Sequence, residues 1–258
     1  SYSKYKFKPI CMNCGYDKHY EVCHVKDLKD FRGIDVLPTI NTIVQSPTTK
    51  AIWFGTFGGG IMIYDKQADS NKRVTILKGE NAPWLTNLCV YDIEEDVHGN
   101  SWIATRGGIC LYTKEKKGYN FSSYFTENKE ILECPYVVIK EDSKGTIWAG
   151  TTTNGEIRVV GNSLHPEKIN FKKYSLDNGS LNAINVQCLF EDSKKRLWAG
   201  TSGGGLNLYD PKSDTFISVN DLFNFPTDII FNIQEDGNGN LWIGTNVGLV
   251  KLHVPNDM

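Results

Sequence analysis

The fold of this chain is decided by the stretch Glu191-Asp192-Ser193-Lys194-Lys195-Arg196-Leu197-Trp198-Ala199-Gly200-Thr201, because four other segments repeat its pattern. In each segment an apolar run leads into a turn, and the turn is followed by a tryptophan and then by a Gly-Thr or Ala-Thr pair. The five tryptophans are Trp53, Trp102, Trp148, Trp198 and Trp242. They follow one another at intervals of 49, 46, 50 and 44 residues, which is close to the length of a repeating unit of four short strands.

An acidic pair precedes the tryptophan in four of the five units. The pairs are Glu95-Asp96, Glu141-Asp142, Glu191-Asp192 and Glu235-Asp236. A short turn follows each pair, and Asp, Asn and Gly supply the side-chain bonds and positive φ angles that tight turns need. Because the pairs recur once per unit, we interpret them as turn chemistry rather than as a catalytic dyad or a calcium site.

Each unit reads as a strand, a turn, a strand with the tryptophan, a glycine turn, a third strand and a more polar fourth strand, as at Phe171–Tyr174. Near-identical units favour a β-propeller over a sandwich, because each blade packs its faces only against its neighbours. We therefore predict an all-β propeller of four-stranded blades, with the tryptophans packed between blades. The blades are predicted at about residues 38–80, 86–126, 134–176, 184–220 and 226–258.

Some segments depart from this pattern. Ala104 replaces the glycine in the second unit, and Gln45-Ser46 stands where the first unit should carry its acidic pair. Residues 1–37 fit the repeat badly, and we predict that they form a degenerate blade or closing strands, with Tyr5-Lys6-Phe7-Lys8 as one candidate strand. The same pattern also fits an incomplete fragment of a larger propeller. The chain begins without an initiator methionine or a signal peptide, so we expect a processed or excised chain.

Composition narrows the classes of partner. The chain has 258 residues and a formal net charge of −2, so duplex nucleic acid is not an expected partner. No apolar run approaches the length that spans a bilayer. The seven cysteines are an odd number and cannot all pair within the chain.

A cluster near the N-terminus has metal-ligand spacing. Its members are Cys11, Cys14, His19 and Cys23. Cysteine pairs two residues apart can bind Zn²⁺, but a second such pair is missing, so zinc and a disulfide are both weaker readings than thiols in a degenerate blade. The sequence carries no catalytic nucleophile motif, and we expect no catalytic residues and no cofactor.

In a propeller the turns between second and third strands share one face with the loops that join successive blades. Six candidate ligand-binding residues lie in those turns: Phe57, Arg106, Thr152, Asn154, Ser202 and Asn246. A joining loop adds Trp84, which stands outside the repeat. An aromatic ring beside polar amides suits a sugar, which offers apolar C–H faces and hydroxyl groups.

The runs Glu191–Asp210 and Gln234–Leu249 resemble the two-component regulator propeller repeat. The resemblance covers roughly residues 38–258, because acidic pair, turn glycine, tryptophan, Gly-Thr and following glycine recur in register. It implies the extracytoplasmic sensor region of a bacterial hybrid two-component system. In that family two propellers precede a small β-sandwich, a membrane helix, a histidine kinase and a DNA-binding regulator. Many members sense oligosaccharides and control polysaccharide use.

The resemblance implies a non-catalytic, periplasmic sensor fragment that binds an oligosaccharide and self-associates. It further implies that histidine kinase activity resides elsewhere in the full-length protein. It also implies that only segments outside this chain contact the membrane. Two alternatives stay open. One is a scaffold for protein interaction or sensor dimerisation, and the other is a propeller lyase, since propellers host many functions.

Overall fold

The computed structural model describes residues 38–113, 118–120, 134–161 and 163–255. The predicted degenerate blade or closing strands at residues 1–37 lie outside the described residues, and so does the cluster of Cys11, Cys14, His19 and Cys23. Helix within the described ranges is limited to two 3-10 turns, Gly79–Asn81 and Pro166–Lys168, and one short helix, Asn220–Phe223. No described helix is long and apolar enough to cross a membrane.

The described strands form five antiparallel sheets, which we call blades 1 to 5, and within each sheet the strands pair in sequence order. Blade 1 contains β1 (Ile40–Gln45), β2 (Ile52–Thr56), β3 (Ile61–Tyr64) and β4 (Val74–Leu77). Blade 2 contains β5 (Val90–Glu95), β6 (Ser101–Thr105), β7 (Gly108–Tyr112) and β8 (Gly118–Asn120). Blade 3 contains β9 (Tyr136–Glu141), β10 (Ile147–Thr151), β11 (Glu156–Val160) and β12 (Asn170–Tyr174).

Blade 4 contains β13 (Val186–Glu191), β14 (Leu197–Thr201), β15 (Leu206–Asp210) and β16 (Thr215–Ser218). Blade 5 has three described strands, which are β17 (Ile230–Glu235), β18 (Asn240–Thr245) and β19 (Gly248–His253). The first strands of successive blades lie side by side, β1 by β5, β5 by β9, β9 by β13 and β13 by β17. The first strand of each blade is therefore the innermost, and the predicted all-β propeller of four-stranded blades is confirmed.

The hydrophobic core lies between blades rather than within one sheet. The tryptophan of each of the first four blades packs against the next blade; Trp198, for example, joins a cluster with Ile230 and Ile243 of blade 5. Trp102, Trp148 and Trp198 are at most 1% exposed. Trp242 occupies the same position in blade 5 but is 37% exposed, because no described blade follows it.

The aspartate of each acidic pair holds both the turn and the tryptophan. Asp192 Oδ1 accepts hydrogen bonds from the backbone N–H groups of Lys194 and Arg196, at 2.9 and 3.0 Å. Its Oδ2 accepts the indole Nε1–H of Trp198 at 2.9 Å. The same Asp–Trp bond occurs at 2.9 to 3.0 Å in blades 2, 3 and 5. The six-residue spacing between aspartate and tryptophan is thus set by a hydrogen bond across the hairpin.

The glutamate of each acidic pair has a different function, which the sequence interpretation missed. Its carboxylate accepts a backbone N–H from the turn of the preceding blade, as Glu235 does from Ser193 at 2.8 Å. Glu191 accepts in the same way from Ser143 at 2.9 Å. Equivalent bonds join blade 1 to blade 2 and blade 2 to blade 3. The aspartate of each acidic pair therefore stabilises the turn, and the glutamate links its blade to the preceding blade by a hydrogen bond.

Candidate ligand-binding rim

The turns between second and third strands, which we call the rim turns, are built around the threonine of the Gly-Thr pair. Thr201 Oγ1 donates to the carbonyl of Gly205 at 3.0 Å and accepts the backbone N–H of Gly204 at 3.1 Å. The other four blades repeat both bonds, at Thr56, Thr105, Thr151 and Thr245. Each turn is thereby fixed by its own side chain, which gives the rim a stiff backbone.

The rim turns are bonded to the loops that join successive blades. The backbone N–H of Ser202 donates to Asn185 O at 2.9 Å, in the loop before its own blade. The neighbouring N–H of Gly203 donates to Asp228 O at 2.8 Å, in the loop before the next blade. Phe57 and Gly58 repeat the arrangement in blade 1. Turns and loops therefore form one continuous surface, at which the structure places the six candidate residues of the rim turns.

These six side chains differ in exposure and charge. Phe57 is 51% exposed. Arg106 and Asn246 are also exposed, whereas Thr152, Asn154 and Ser202 are half-buried. Asn246 Oδ1 accepts the hydroxyl of Thr227 at 2.6 Å. Arg106 is the one charged member of the set, so these six residues offer mainly hydroxyl, amide and aromatic groups.

Trp84 lies apart from the other candidates. Its ring centroid is 5.3 Å from that of Tyr112, the last residue of β7, and it packs against the cluster between blades 1 and 2. The Arg106 turn stands at the opposite end of β7, about 13 Å away along the strand. This half-buried position favours a packing role for Trp84, and its ligand role stays a prediction.

Every innermost strand contains a β-bulge close to the rim. In β5, for example, Val90 pairs with Thr105 and Asp92 pairs with Ala104, so Tyr91 has no partner of its own. The five bulged residues are Asn41, Tyr91, Val137, Gln187 and Phe231. Bulges re-aim a side chain away from the regular ladder and are common beside functional sites. Because they lie on the innermost strands, the five bulged residues give each blade one residue at the inner side of the rim. We call these five residues the inner wall of the rim.

Sequence reasoning missed these bulges, although a signal for them was present. In two of the innermost strands the buried apolar residues are three apart, as Val90 and Ile93 are in β5 and Ile230 and Ile233 are in β17. A regular strand buries every second residue on one face. A spacing of three therefore indicates one extra residue in the strand.

The rim and its inner wall together combine aromatic rings with amides. Tyr91 is half-buried and Phe231 is 43% exposed, so both rings remain partly available. The amide of Asn41 donates to Val90 O at 2.9 Å, and that of Gln187 donates to Asn185 Oδ1 at 2.5 Å. Ordered amides beside open rings can bind hydroxyl groups and the apolar face of a sugar at once.

Asp92 follows the bulged residue of blade 2, and its side chain links this inner wall to the neighbouring blades. Asp92 Oδ1 accepts the N–H of Ile93 at 2.9 Å and the hydroxyl of Thr42, in blade 1, at 3.3 Å. Its Oδ2 accepts the N–H of Ile139, in blade 3, at 3.0 Å. Burial raises the pKa of Asp92 to about 6. One carboxyl group thus links three blades, and its ionisation depends on pH near the neutral range.

Replacing Asp92 with Asn should change how stability depends on pH. The folded protein binds the Asp92 proton more tightly than the unfolded chain does, so this group favours folding most below its ordinary pKa of 3.8 and loses that contribution as pH rises to about 6. The Asp92→Asn variant has no group that titrates here, so it does not lose stability in this way as the pH rises. Relative to the wild type, the variant should gain about 2–3 kcal/mol in unfolding free energy between pH 4 and 7. Urea denaturation across that range measures the difference, and a constant difference would contradict the assignment.

No group of three or more His, Cys, Asp or Glu side chains within the described ranges is arranged to hold a metal ion. The cysteines at positions 89, 110 and 188 are free thiols in the structure. Burial raises the pKa of Cys188 to about 12, which makes it a poor nucleophile at neutral pH.

Two segments of the sequence match a known family of repeats. The family described as two component regulator propeller matches residues 180–203 and 224–247. Both segments run from the loop before a blade, through its first two strands, into the rim turn of blade 4 or blade 5. No curated protein matches the sequence.

Solved structures show the same fold. One is the extracellular domain of a putative hybrid two component system from B. thetaiotaomicron, with 22% identity and a TM-score of 0.65 over 86% of this chain and 29% of that chain. A second such domain from the same organism has 17% identity and a TM-score of 0.69 over 89% of this chain and 31% of its own. This chain thus spans less than a third of either domain.

A third structure is an enzyme. Virginiamycin B lyase from Staphylococcus aureus, in a catalytically inactive His-to-Ala form with quinupristin, has 16% identity and a TM-score of 0.57 over 84% of this chain and 71% of that chain. At these identities all three comparisons carry the fold alone. Joined with the family match, they lead to one identification: the chain carries two-component regulator propeller repeats, on the fold also found in extracellular domains of putative hybrid two component systems.

Proposed function

We propose that this chain is a non-catalytic, extracytoplasmic ligand-recognition piece of a two-component sensor, and that its rim binds an oligosaccharide. The family match and the two sensor-domain structures support the sensor part of the proposal. In such a protein the rim faces the periplasm, and a kinase outside this chain responds to the bound ligand.

One observation carries the oligosaccharide part. The rim and its inner wall bring rings and ordered amides together on a surface with a single charged side chain among the candidate residues, Arg106. A neutral ligand rich in hydroxyl groups fits this chemistry better than a nucleotide or a strongly charged peptide does. The innermost bulges make the surface asymmetric, because each blade supplies a different side chain at the same position.

A thermal-unfolding screen against oligosaccharides from plant, host and microbial polysaccharides tests the proposal. A selective ligand at about one hundred times its dissociation constant should add about 2.7 kcal/mol to the unfolding free energy. Phe57→Ala and Phe231→Ala should then weaken binding by about tenfold or more without lowering stability, because both rings are already exposed. Absence of any hit across the panel, with a cooperative melt, would contradict the rim site.

Two further variants sharpen this test. Val97 is 73% exposed in the hairpin between β5 and β6, on the face away from the rim, so Val97→Ala should leave ligand binding unchanged. Trp84→Ala separates the two roles of Trp84. Loss of stability with unchanged ligand affinity would assign it to packing, and loss of affinity at unchanged stability would assign it to the site.

A second candidate function, protein interaction or self-association, is favoured by the face of blade 5 that no described blade covers. Two large apolar side chains on that face are exposed, Trp242 by 37% and Leu249 by 65%. Exposed apolar patches mark interaction surfaces in soluble proteins. Light scattering over a range of concentrations would detect self-association, and Trp242→Ser should weaken it.

A lyase function has less support. The histidines among the described residues, at positions 98, 165 and 253, lie in a hairpin turn, in a link between outer strands and at the end of β19. All three positions are at the ends of strands opposite the rim turns. The described rim thus lacks a histidine that could act as a general base.

A further inference from the structure

Tyr91, the bulged residue of blade 2, stands between two hydrogen bonds to blade 1. On one side of it, the carbonyl of Val90 accepts the side-chain amide of Asn41 at 2.9 Å. On the other side, Asp92 Oδ1 accepts the hydroxyl of Thr42 at 3.3 Å. Asn41 is itself the bulged residue of blade 1. The inner-wall residues of blades 1 and 2 are therefore fixed to each other on both sides of the tyrosine.

The Asp92 carboxylate extends this connection to blade 3. Its Oδ2 accepts the backbone N–H of Ile139 at 3.0 Å, and Ile139 lies two residues after Val137, the bulged residue of blade 3. Its Oδ1 accepts the backbone N–H of Ile93 at 2.9 Å. Each oxygen thus accepts one backbone N–H. A protonated carboxyl group has one hydroxyl oxygen, which is a poor acceptor, so a proton on either oxygen weakens one of these bonds.

No other described blade has a carboxylate at this position. The residues that follow the bulged one in blades 1, 3, 4 and 5 are Thr42, Val138, Cys188 and Asn232. Asn232 keeps the local bond, because its Oδ1 accepts the N–H of Ile233 at 2.7 Å, but its amide does not ionise. The Cys188 thiol stays neutral, because burial raises its pKa to about 12. Blade 2 is therefore the one described blade whose residue at this position changes charge near neutral pH.

The ionisable groups around Asp92 come from two strands. Burial is the main cause of its raised pKa of about 6, and the negative charge of Glu94, on the same strand, raises the pKa further. The neighbouring strand β9 carries Tyr136, Lys140 and Glu141, and Lys140 pairs with Glu94 at 2.5 Å. Burial raises the pKa of Tyr136 and of Glu141. The strands β1, β2 and β6 carry no ionisable side chain.

We propose that Asp92 is a positioning residue for the rim site, whose carboxylate holds the inner wall of blades 1 to 3 in its binding arrangement and releases it on protonation. This inference rests on the proposed function of the rim and adds regulation to it, because the ligand should bind more tightly when Asp92 is charged. The charged form costs desolvation, which lowers stability, yet it makes the stronger hydrogen bonds. Acidification therefore stabilises the fold while it loosens the inner wall.

The test is ¹⁹F NMR of protein labelled with 3-fluorotyrosine, in which a Tyr91→Phe variant assigns the Tyr91 signal. Between about pH 4 and 7.5 that signal should follow a one-proton titration curve with a midpoint at about 6. In Asp92→Asn the signal should stay near the position that it takes in the wild type at low pH. The reason is that the amide, like the protonated carboxyl group, has one good acceptor oxygen.

Two further variants separate Asp92 from its surroundings. Thr42→Val removes a hydrogen bond that favours the charged form, so the midpoint should rise. Glu94→Gln removes a like charge, so the midpoint should fall while the titration remains. These opposite shifts decide the question if Asp92→Asn does not fold. A Tyr91 signal that is independent of pH, or one that still titrates in Asp92→Asn, would overturn the proposal.

Ligand binding should follow the same change. A neutral oligosaccharide selected by the thermal screen should bind the wild type about fivefold or more weakly at pH 5 than at pH 7, and Asp92→Asn should bind it with the weaker affinity at both. Equal affinity of the wild type at the two pH values would overturn the regulation. The Tyr91 titration needs no ligand, so failure of the proposed function is distinguishable from failure of this inference.

Discussion

Replacing Asp192 with Ala should destabilise the protein by about 3–5 kcal/mol, because it removes the acceptor from a buried network that contains a charge. The carboxylate is fully buried and accepts from the indole of Trp198, from two backbone N–H groups and from the guanidinium of Arg196 at 2.6 Å. Without it, the buried indole N–H loses its partner, and Arg196 is left 11% exposed without its counter-ion. Urea denaturation followed by tryptophan fluorescence and circular dichroism measures the loss.

The repeat supplies a matched control. Asp236 makes the same bonds to Trp242 and to the backbone of its turn, at 2.9 to 3.0 Å, but blade 5 leaves Trp242 exposed. In Asp236→Ala, water can replace the lost acceptor, so the loss of stability should be clearly smaller than in Asp192→Ala. Equal losses in the two variants would show that burial between blades does not set the strength of the aspartate–tryptophan bond.

The repeat explains why so much of the fold could be predicted from the sequence. A turn, a tryptophan and a glycine recur in register, so a strand such as β12 falls close to the segment that the pattern indicates, 171–174. The exposure of Trp242 was not predictable in this way. It has the same sequence surroundings as Trp198, and only the absence of a described neighbouring blade makes it different.

The candidate site was predicted less completely, for a physical reason. Rim turns could be located because Gly and Thr mark them, and the structure joins them to the loops between blades. The bulges of the innermost strands are marked only by the three-residue spacing of apolar residues, which is a weaker signal than a Gly-Thr pair, so Tyr91 and Phe231 escaped notice. Trp84 was selected because it stands outside the repeat, yet a residue outside a repeat can still fill space between blades, as its contact with Tyr112 shows.

Replacing Gly200 with Ala should destabilise the protein by about 1–3 kcal/mol, because the innermost strand of blade 5 leaves no room for a methyl group. A Cβ atom at position 200 would lie 2.5 Å from Cys188 Sγ and 2.5 Å from Ile230 Cγ2. Cys188 lies on β13 of the same blade and Ile230 lies on β17, so relief requires both a shift of the Cys188 side chain and a movement of β17 away from blade 4. The glycine of the Gly-Thr pair thus allows the next blade to pack closely. It is not required by the turn that follows it.

Two positions in other blades test this explanation. The glycine at position 244 has no atom closer than 3.9 Å to its added Cβ, so Gly244→Ala should be neutral or should stabilise by about 0.4–1 kcal/mol. Ala104 already occupies the equivalent position in blade 2, where the facing residue is Tyr136, which is not branched at Cβ. Thermal denaturation of Gly200→Ala and Gly244→Ala side by side measures the contrast. If both variants lose the same stability, backbone strain within the strand, and not the next blade, is the reason for the glycine.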